Sequence, residues 1–371
     1  MRRTIVLLAT MALTLLVVSG VALAVTKIGS AGAQSSVVGP GESIQKAINA
    51  AHPGDTIVVR GVHREDVVIR KNGIKLRGVG NAVIEAPARA KADSPCSKAF
   101  GPEAICVLGD ENLKTEKLEG QRVSGVSVSG FTIRGFKIAG KGATVIDVTG
   151  ARNATVVGNR LIGNVAGPIV AFGSVNTTVA KNHVIGSPET DPETDAPGIT
   201  VVTSSRTTVV GNNISGAAWG IAVIDAHRGF FAGNTIHNTC GGMFFDAYPS
   251  QPISDFEVKG NTVENNTRSC GPPQFPVNFS GIGIALDGGS GMEVTGNQIS
   301  GNVPSGPTPV SGGVVVATDP FDEGTTTPMN NSVTGNHFGR NKPDIFWDKS
   351  GSGNSFLGNL CNTSVPSSLC N

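Results

Sequence analysis

The sequence has few aromatic and few charged residues. Of its 371 residues, 5% are aromatic, with a single Tyr, and 15% are charged, with a formal net charge of +1. Nucleic-acid-binding proteins concentrate basic residues on one surface, often with aromatic residues among them. The chain has no such basic run, so we do not expect nucleic acid as a partner.

The motifs of several enzyme classes are also missing. The six cysteines include no C-x-x-C pair, which argues against a thiolate zinc site. The histidines lack metal-ligand spacing, and His183, His237 and His337 are interpreted as packing residues in strands. No G-x-S-x-G, P-loop or dinucleotide motif occurs in a suitable context. We therefore predict no metal ligands and no certain cofactor, with calcium as an open alternative.

The N-terminus resembles an export signal. The segment "MRRTIVLLATMALTLLVVSGVALA" places two arginines before an apolar run and ends in small residues. We assign residues 1–24 as a signal peptide or, alternatively, an N-terminal anchor, residues 25–37 as a linker and residues 38–371 as one folded domain. Cleavage after Ala33 is a second option. The protein is expected to be secreted or extracellular, with surface anchoring as an alternative, and to be a monomer with no membrane contact after cleavage.

The cysteine count fits an oxidising compartment, where thiols pair. Spacing favours the pairs Cys96–Cys106 and Cys361–Cys370, which leaves Cys240 with Cys270.

A repeated line of sequence dominates the chain from about residue 123. Each line is a short β-branched run, a Gly-Asn pair or close variant, and a second short run, as in "SSRTTVVGNNISGA" and "GSGMEVTGNQISGN". The equivalent asparagines are Asn159, Asn182, Asn212, Asn234, Asn261, Asn297, Asn336 and Asn359. Their intervals of roughly twenty to forty residues are typical of a solenoid or propeller.

The repeat predicts an all-β fold, a right-handed parallel β-helix of roughly ten turns. A propeller blade needs four strands, and these units hold only two or three short ones. Asn tolerates the left-handed conformation at a bend, and stacked Asn side chains can bond along the column. A short capping helix, Ser43–Ala51, is expected to close one end of the coil, and the Cys361–Cys370 tail the other.

Several stretches resemble the pectin-lyase-like superfamily of right-handed β-helix proteins. These are "SIQKAINAAHPGDTIVV", "VVIRKNGIKLRGVG" and the later "VTGNxI" lines. The resemblance implies the β-helix fold from about residue 38 onward and a secreted protein that acts on or binds carbohydrate polymers. The superfamily includes pectate and alginate lyases, hydrolases, mannuronan epimerases, phage tailspikes and non-enzymatic adhesins, so the resemblance does not fix the activity.

The second strand of each repeat predicts a vertical column of side chains. Counting five residues onward from its first residue gives Asp147, Phe172, Thr203, Asp225, Asp246, Asp287, Thr318 and Asp348. Three successive members, Asp225, Asp246 and Asp287, are carboxylates that we expect to point outward. At a spacing of ~4.8 Å, unit charges repel by roughly 3.5 kcal/mol at an effective dielectric of about 20. The column therefore calls for a cation, an arginine or a retained proton.

Residues just past the acids supply such partners. His227 and Tyr248 follow two residues after Asp225 and Asp246, and Arg206 and Arg228 occupy the next position on neighbouring turns. Arginine or calcium can neutralise a uronate carboxylate, after which a base removes the C5 proton and His or Tyr returns one. We assign Asp225, His227, Arg228, Asp246, Tyr248 and Asp287 as candidate catalytic residues and Arg206 as a substrate-binding residue.

Two alternatives stay open. The acids could be turn structure, since Asp and Thr at strand ends accept bonds from turn amides. The "DPFD" segment, Asp319–Asp322, resembles an epimerase signature but also fits ordinary turn chemistry. Insertions at 187–197, 267–280 and 303–311 are expected to form a wall beside the second strand. The sequence thus favours an acidic-polysaccharide lyase or C5-epimerase, with a non-catalytic polysaccharide-binding protein as the alternative.

Overall fold

Three long parallel sheets, here called A, B and C, form a coil. The computed structural model describes residues 32–86, 103–109, 111–112, 117–118, 121–135, 145–163, 167–186, 196–247, 253–272, 277–318 and 326–370. Along the chain, strands pass from A to B to C and back to A, and each strand pairs in parallel with its equivalents on the neighbouring turns. The sheets hold 11, 10 and 11 strands, which confirms the predicted fold and its approximate number of turns.

Sheet A consists of the strands Ser35–Val38, Thr56–Val59, Lys75–Gly78, Ser127–Ser129, Thr155–Val157, Thr178–Ala180, Thr208–Val210, His227–Ala232, Ser254–Lys259, Glu293–Thr295 and Ser332–Thr334. Sheet B consists of Val62–His63, Val83–Glu85, Thr132–Arg134, Arg160–Ile162, His183–Ile185, Asn213–Ser215, Thr235–His237, Thr262–Glu264, Gln298–Ser300 and His337–Gly339. Sheet C consists of Val67–Ile69, Ile105–Leu108, Ile146–Thr149, Ile169–Phe172, Ile199–Val202, Trp219–Ile224, Gly241–Asp246, Ile282–Asp287, Gly312–Ala317, Ile345–Trp347 and Ser364–Val365. Short two-stranded pairs join Val123–Ser124 to Ala151–Arg152, Glu111–Asn112 to Lys117–Leu118, and Ser269–Cys270 to Phe279–Ser280.

The bend from sheet A to sheet B explains the Gly-Asn repeat. The buried Asn212 side chain donates to Asn234 Oδ1 at 2.9 Å and to the Val179 carbonyl at 2.9 Å, and the same pattern links the eight predicted asparagines. The expectation that Asn takes the left-handed conformation was wrong. The preceding residue does so, as at Gly211 and Gly233 with φ of 62° and 60°. Gly turns the chain because it lacks Cβ, while Asn satisfies buried backbone groups.

Alternation of side chains fills the interior of the coil. On each turn one face of every short strand contributes Val, Ile or Leu to a single buried cluster. Near the middle of the coil, Phe231, Phe245 and Phe256 replace these residues and meet at ring-centroid distances of 5.5–5.6 Å. The centre of the molecule is therefore a packed core, and the outward residues are left to determine function.

Both ends of this core are covered. Helix α1, Ile44–Ala50, has Ser43 as its N-cap, which confirms the predicted helix, and its buried Ile44 and Ile48 join the core cluster. At the other end a 3₁₀ helix, Ser367–Cys370, follows the last sheet-C strand, and Leu369 packs against the same cluster. These caps shield apolar cross-sections that an open coil would expose.

The first strand corrects one predicted boundary. Strand Ser35–Val38 begins inside the segment 25–37 that we assigned as a linker, and residues from Ala33 onward form one compact unit. The predicted signal peptide, residues 1–24, lies outside the described residues. No helix within the described ranges is long and apolar enough to cross a membrane.

The disulfides follow the expected pairing where they are described. Cys240 bonds to Cys270, and Cys361 bonds to Cys370. Cys106 is also disulfide-bonded, and its expected partner, Cys96, lies outside the described residues.

Candidate functional site

The outer face of sheet C is bordered by insertions. The predicted insertions at 187–197, 267–280 and 303–311 all occur between a sheet-B strand and the next sheet-C strand, as expected. Further insertions, at 248–252 and 319–327, occur where sheet C turns toward sheet A. Both long edges of sheet C thus have inserted chain next to them in the sequence on some turns, so its outer face is the part of the coil that the insertions border.

A second apolar cluster covers part of the outer face of sheet C. Trp219 stacks between Phe244 and Phe279, with ring centroids 4.7 and 4.6 Å away. The buried disulfide Cys240–Cys270 packs in the same cluster. On earlier turns the outward Val202 and Ile224 remain partly exposed. The accessible part of this outer face therefore lies next to the corner where sheet C turns toward sheet A.

Asp246 and Asp287 are aligned on adjacent turns, as predicted. Each ends a sheet-C strand, and the two residues are direct partners in the parallel register. Both follow core residues, Phe245 and Leu286, and so point away from the core. They are also buried, with 5% and 1% of their surface exposed. Asp287 is thus shielded from a polymer in this conformation, so the pair is better placed to shape the corner than to touch substrate.

Asp225 does not belong to this column, which corrects the predicted alignment. Ile224, not Asp225, is the partner of Asp246. Asp225 lies one residue further on, at the bend, with a left-handed φ of 49°. Thr203 occupies the same bend one turn earlier, with φ of 48°. Asp225 and Asp246 are therefore diagonal neighbours on adjacent turns.

The surroundings of Asp225 alter its acidity. Burial raises the pKa of the Asp225 carboxyl above its usual value, and a hydrogen bond from Thr203 and the nearby His227 oppose that rise. Desolvation disfavours the charged carboxylate, so the group retains its proton to higher pH than an exposed Asp. A half-buried carboxyl with a raised pKa beside a His is a common arrangement for proton transfer, although structural acids show it too.

The remaining predicted residues lie on the outside of this corner. His227 is exposed and opens the sheet-A strand His227–Ala232. Arg206 and Arg228 are exposed and occupy equivalent left-handed positions on adjacent turns, with φ of 56° and 59°. Tyr248 and the Asp319–Asp322 segment lie outside the described residues. The structure thus gathers Asp225, His227 and both arginines at one corner, beside the Asp246 and Asp287 pair.

Two other groups of residues do not form a site. His183, His237 and His337 were interpreted as packing residues; all three lie on the outer face of sheet B, His183 and His237 partly buried and His337 exposed. Within the described ranges, only Glu103, Cys106 and Asp147 bring three ligand-type atoms within 4.8 Å of one another. The Cys106 sulfur is held in a disulfide, so the group offers no thiolate.

Sequence reasoning overlooked one outward aromatic residue near the corner. In "HRGFFAGN" the alternation of the strand places Phe231 in the core and Phe230 outside, where it is 38% exposed. The signal was present in the pair of adjacent phenylalanines, since two neighbours in a strand must face opposite ways.

Comparison with solved structures supports the fold. The mannuronan C-5 epimerase A-module of Azotobacter vinelandii matches with a TM-score of 0.50 and 14% identity over 85% of this chain and 89% of its own. DFA-IIIase of Arthrobacter chlorophenolicus A6 in complex with DFA-III matches with a TM-score of 0.54 and 14% identity over 88% and 83%. ORF18 of Geobacillus virus E2 matches with a TM-score of 0.52 and 12% identity over 81% and 55%. At these identities the likeness concerns the fold alone.

The parallel sheets, the asparagine column and these matches define a right-handed parallel β-helix of the pectin-lyase-like type. A right-handed β-helix profile matches residues 193–338. A second profile, described as "Periplasmic copper-binding protein (NosD)", matches residues 48–240, and the chain belongs to this NosD family. Among curated proteins, no sequence matches the chain.

The described residues do not fit a copper site. Copper prefers imidazole, thiolate or thioether ligands. The single described group of three candidate ligands comprises two carboxylates and a disulfide-bonded sulfur, and the three sheet-B histidines are not part of it.

Proposed function

We propose that this protein acts on an acidic polysaccharide by removing the C5 proton of a uronate, as a lyase or an epimerase. The observation that carries the proposal is the corner between sheets C and A. Asp225, with its raised pKa, lies there beside His227, and Arg206 and Arg228 project from adjacent turns. The structural neighbours include a mannuronan C-5 epimerase, which supports the same class of substrate.

Each group at the corner has a role in this chemistry. A guanidinium neutralises the substrate carboxylate, which makes the C5 proton more acidic. The ionised Asp225 accepts that proton, and the electron pair passes into the carboxyl group as an enolate. Expulsion of the oxygen at C4, protonated by His227, gives an unsaturated sugar. Return of a proton to the opposite face of C5 gives the epimer instead.

The buried pair supports this corner from the adjacent turns. Asp246 and Asp287 lie about 4.8 Å apart if they follow the usual strand spacing, and a proton or a cation between them relieves their repulsion. Calcium fits carboxylate oxygens and is a candidate for that role. In this proposal the pair positions the corner, and Asp225 meets the substrate.

The proposal includes the compartment. Disulfides such as Cys240–Cys270 persist in oxidising environments. The NosD family is described as periplasmic, and residues 1–24 resemble an export signal. We therefore place the protein outside the cytoplasm, where extracellular polysaccharides are found.

Solvent exchange tests the chemistry directly. The protein is incubated in D₂O with pectate, alginate or a glycosaminoglycan, with and without calcium, and deuterium at C5 is measured by mass spectrometry. Absorbance near 235 nm detects unsaturated products in parallel. Asp225→Asn should lower the rate by at least about 100-fold. Glu264→Gln, an outward acid on sheet B, is the matched control and should leave it unchanged. Tyr248→Phe tests the sequence-based assignment of a proton donor.

The second candidate function is polysaccharide binding without catalysis. It is favoured by the bend itself, since Thr203 and Asp225 occupy a position where Gly173 stands one turn earlier, as ordinary turn residues do. Absence of deuterium and of 235 nm absorbance with every polymer, together with retention of one polymer in an affinity gel, would establish the binding protein and overturn the enzyme.

A further inference from the structure

The outer face of sheet A carries an open depression of 420 Å³ beside the corner. It is separate from the outer face of sheet C, because it lies beyond the bend at which Arg206 and Arg228 project. Its lining falls into two vertical rows. The first row faces outward on sheet A and consists of Thr208, Phe230 and Glu257. The second row, the corner row, consists of Arg206, Arg228 and Asp255, which hold left-handed conformations at the bend before sheet A.

Phe230 is unusual in its row. Its direct partners on the adjacent turns are Thr208 and Glu257, and further along the row come Thr178 and Glu293. An exposed ring among polar neighbours is not required by the core, which Phe231 already fills from the same strand. An aromatic ring on an open, polar surface offers a flat apolar platform for a ligand.

The corner row supplies the charge. Arg206 and Arg228 project from consecutive turns, and within the described part of the chain neither guanidinium forms an ion pair with a carboxylate. Asp255 follows on the next turn. The two arginines are therefore followed by two acids, Asp255 and Glu257. A sugar bound across this surface can direct a carboxylate toward the arginines and hydroxyls toward the acids.

We propose that this surface is a second sugar-binding site, which holds a uronate unit of the polysaccharide beside Phe230. The ring of Phe230 stacks against the apolar face of the sugar, the guanidinium of Arg206 binds its carboxylate, and Glu257 accepts hydrogen bonds from its hydroxyls, while Arg228 remains with the unit at the corner. The identity of the polymer rests on the proposed function, whereas the site itself rests on these residues. Such a site would hold a flanking segment of the chain whose neighbouring unit lies at the corner.

Calorimetric titration with a defined oligouronate tests the site. Phe230→Ala should weaken binding about two- to tenfold, the range expected for loss of one aromatic contact. Phe230→Tyr keeps the ring and should bind as the unchanged protein does. Met329→Ala removes another exposed apolar side chain, 42% exposed, and should have no effect. Binding should also weaken as salt rises from 0.05 to 0.5 M, since exposed charges are screened (roughly 10 Å Debye length at 0.1 M).

Two results would overturn the site: equal affinity of the Phe230→Ala and unchanged proteins, or equal binding of a neutral oligosaccharide. Equal binding of a sulfated oligosaccharide would replace the uronate by a general anion and overturn the assignment of the sugar. The D₂O assay separates the two proposals. Phe230-dependent binding without C5 exchange leaves the site standing and removes the enzyme. Deuterium exchange at C5 together with binding that does not depend on Phe230 leaves the enzyme standing and removes the second site.

Discussion

The asparagine column should contribute more to stability than any surface feature of the coil. Asn212 Oδ1 accepts from the Asn182 amide N–H at 2.9 Å and from Asn182 Nδ2 at 3.1 Å, and Asn212 Nδ2 donates to the Val179 carbonyl at 2.9 Å. Asn212→Ala removes these three buried hydrogen bonds, although Asn182 Nδ2 keeps its bond to the Val156 carbonyl. At about 1–3 kcal/mol for each of the other two buried groups, the free energy of unfolding should fall by about 2–6 kcal/mol.

The adjacent residue provides a matched control. Asn213 is exposed on the outer face of sheet B, and its replacement by Ala should change the free energy by less than about 0.5 kcal/mol. Urea denaturation followed by circular dichroism measures both variants. If Asn212→Ala is no more destabilised than Asn213→Ala, the hydrogen-bonded column does not hold the turns together and the account of the Gly-Asn repeat fails.

Three further predictions concern the middle of the coil. Replacing both Cys240 and Cys270 by Ser should cost about 3–4 kcal/mol, because the bond closes a loop of 30 residues; unchanged urea unfolding would refute this. Gly242→Ala would place Cβ 2.4 Å from the carbonyl oxygen of Gly283 and should cost about 1–3 kcal/mol in the same assay, whereas unchanged stability would show that the turns can separate. Because burial raises the folded-state pKa of Asp225, the unchanged protein should lose stability as pH rises from the usual Asp pKa through this raised value. Asp225→Asn should remove that loss, and parallel stability-pH curves for the two proteins would contradict the assignment.

The fold could be predicted because one physical requirement recurs on every turn. Each bend between sheets A and B needs a residue that adopts a left-handed conformation followed by a side chain that bonds to the next turn, so Gly-Asn is repeated, as at Gly211 and Asn212. Inserted chain lengthens the interval without changing the requirement. The three predicted insertions could therefore be placed at one corner, although their conformation follows from no repeated pattern.

The candidate site was harder to predict because strand register depends on the backbone. Counting from the first glycine of "GIAVID" and "GGMFFD" makes Gly220 equivalent to Gly241. In the structure Ile221 pairs with Met243, so Gly242 is the equivalent residue. Gly241 is a glycine for a different reason, since a Cβ at this position would collide with the ring of Trp219. One extra glycine, required by an aromatic ring outside the core, therefore shifted Asp225 by one position in the predicted column.

The corrected register places Asp225 at a bend where glycine is the least strained residue. At three bends after sheet-C strands glycine holds the left-handed conformation, with φ values of 60°, 54° and 66° at Gly150, Gly173 and Gly288. Thr203 and Asp225 hold the same conformation at a cost of roughly 1–2 kcal/mol each, greatest for the β-branched Thr. Folding alone would favour glycine at both positions. The hydrogen bond from Thr203 to Asp225 offsets part of this strain. The same bond orients the Asp225 carboxyl, whose pKa is raised by burial. Other non-glycine residues hold the same conformation at bends of the coil, as at Lys181 and Arg340, so the strain alone fits turn structure as well as chemistry, and the Asp225→Asn exchange assay decides between them.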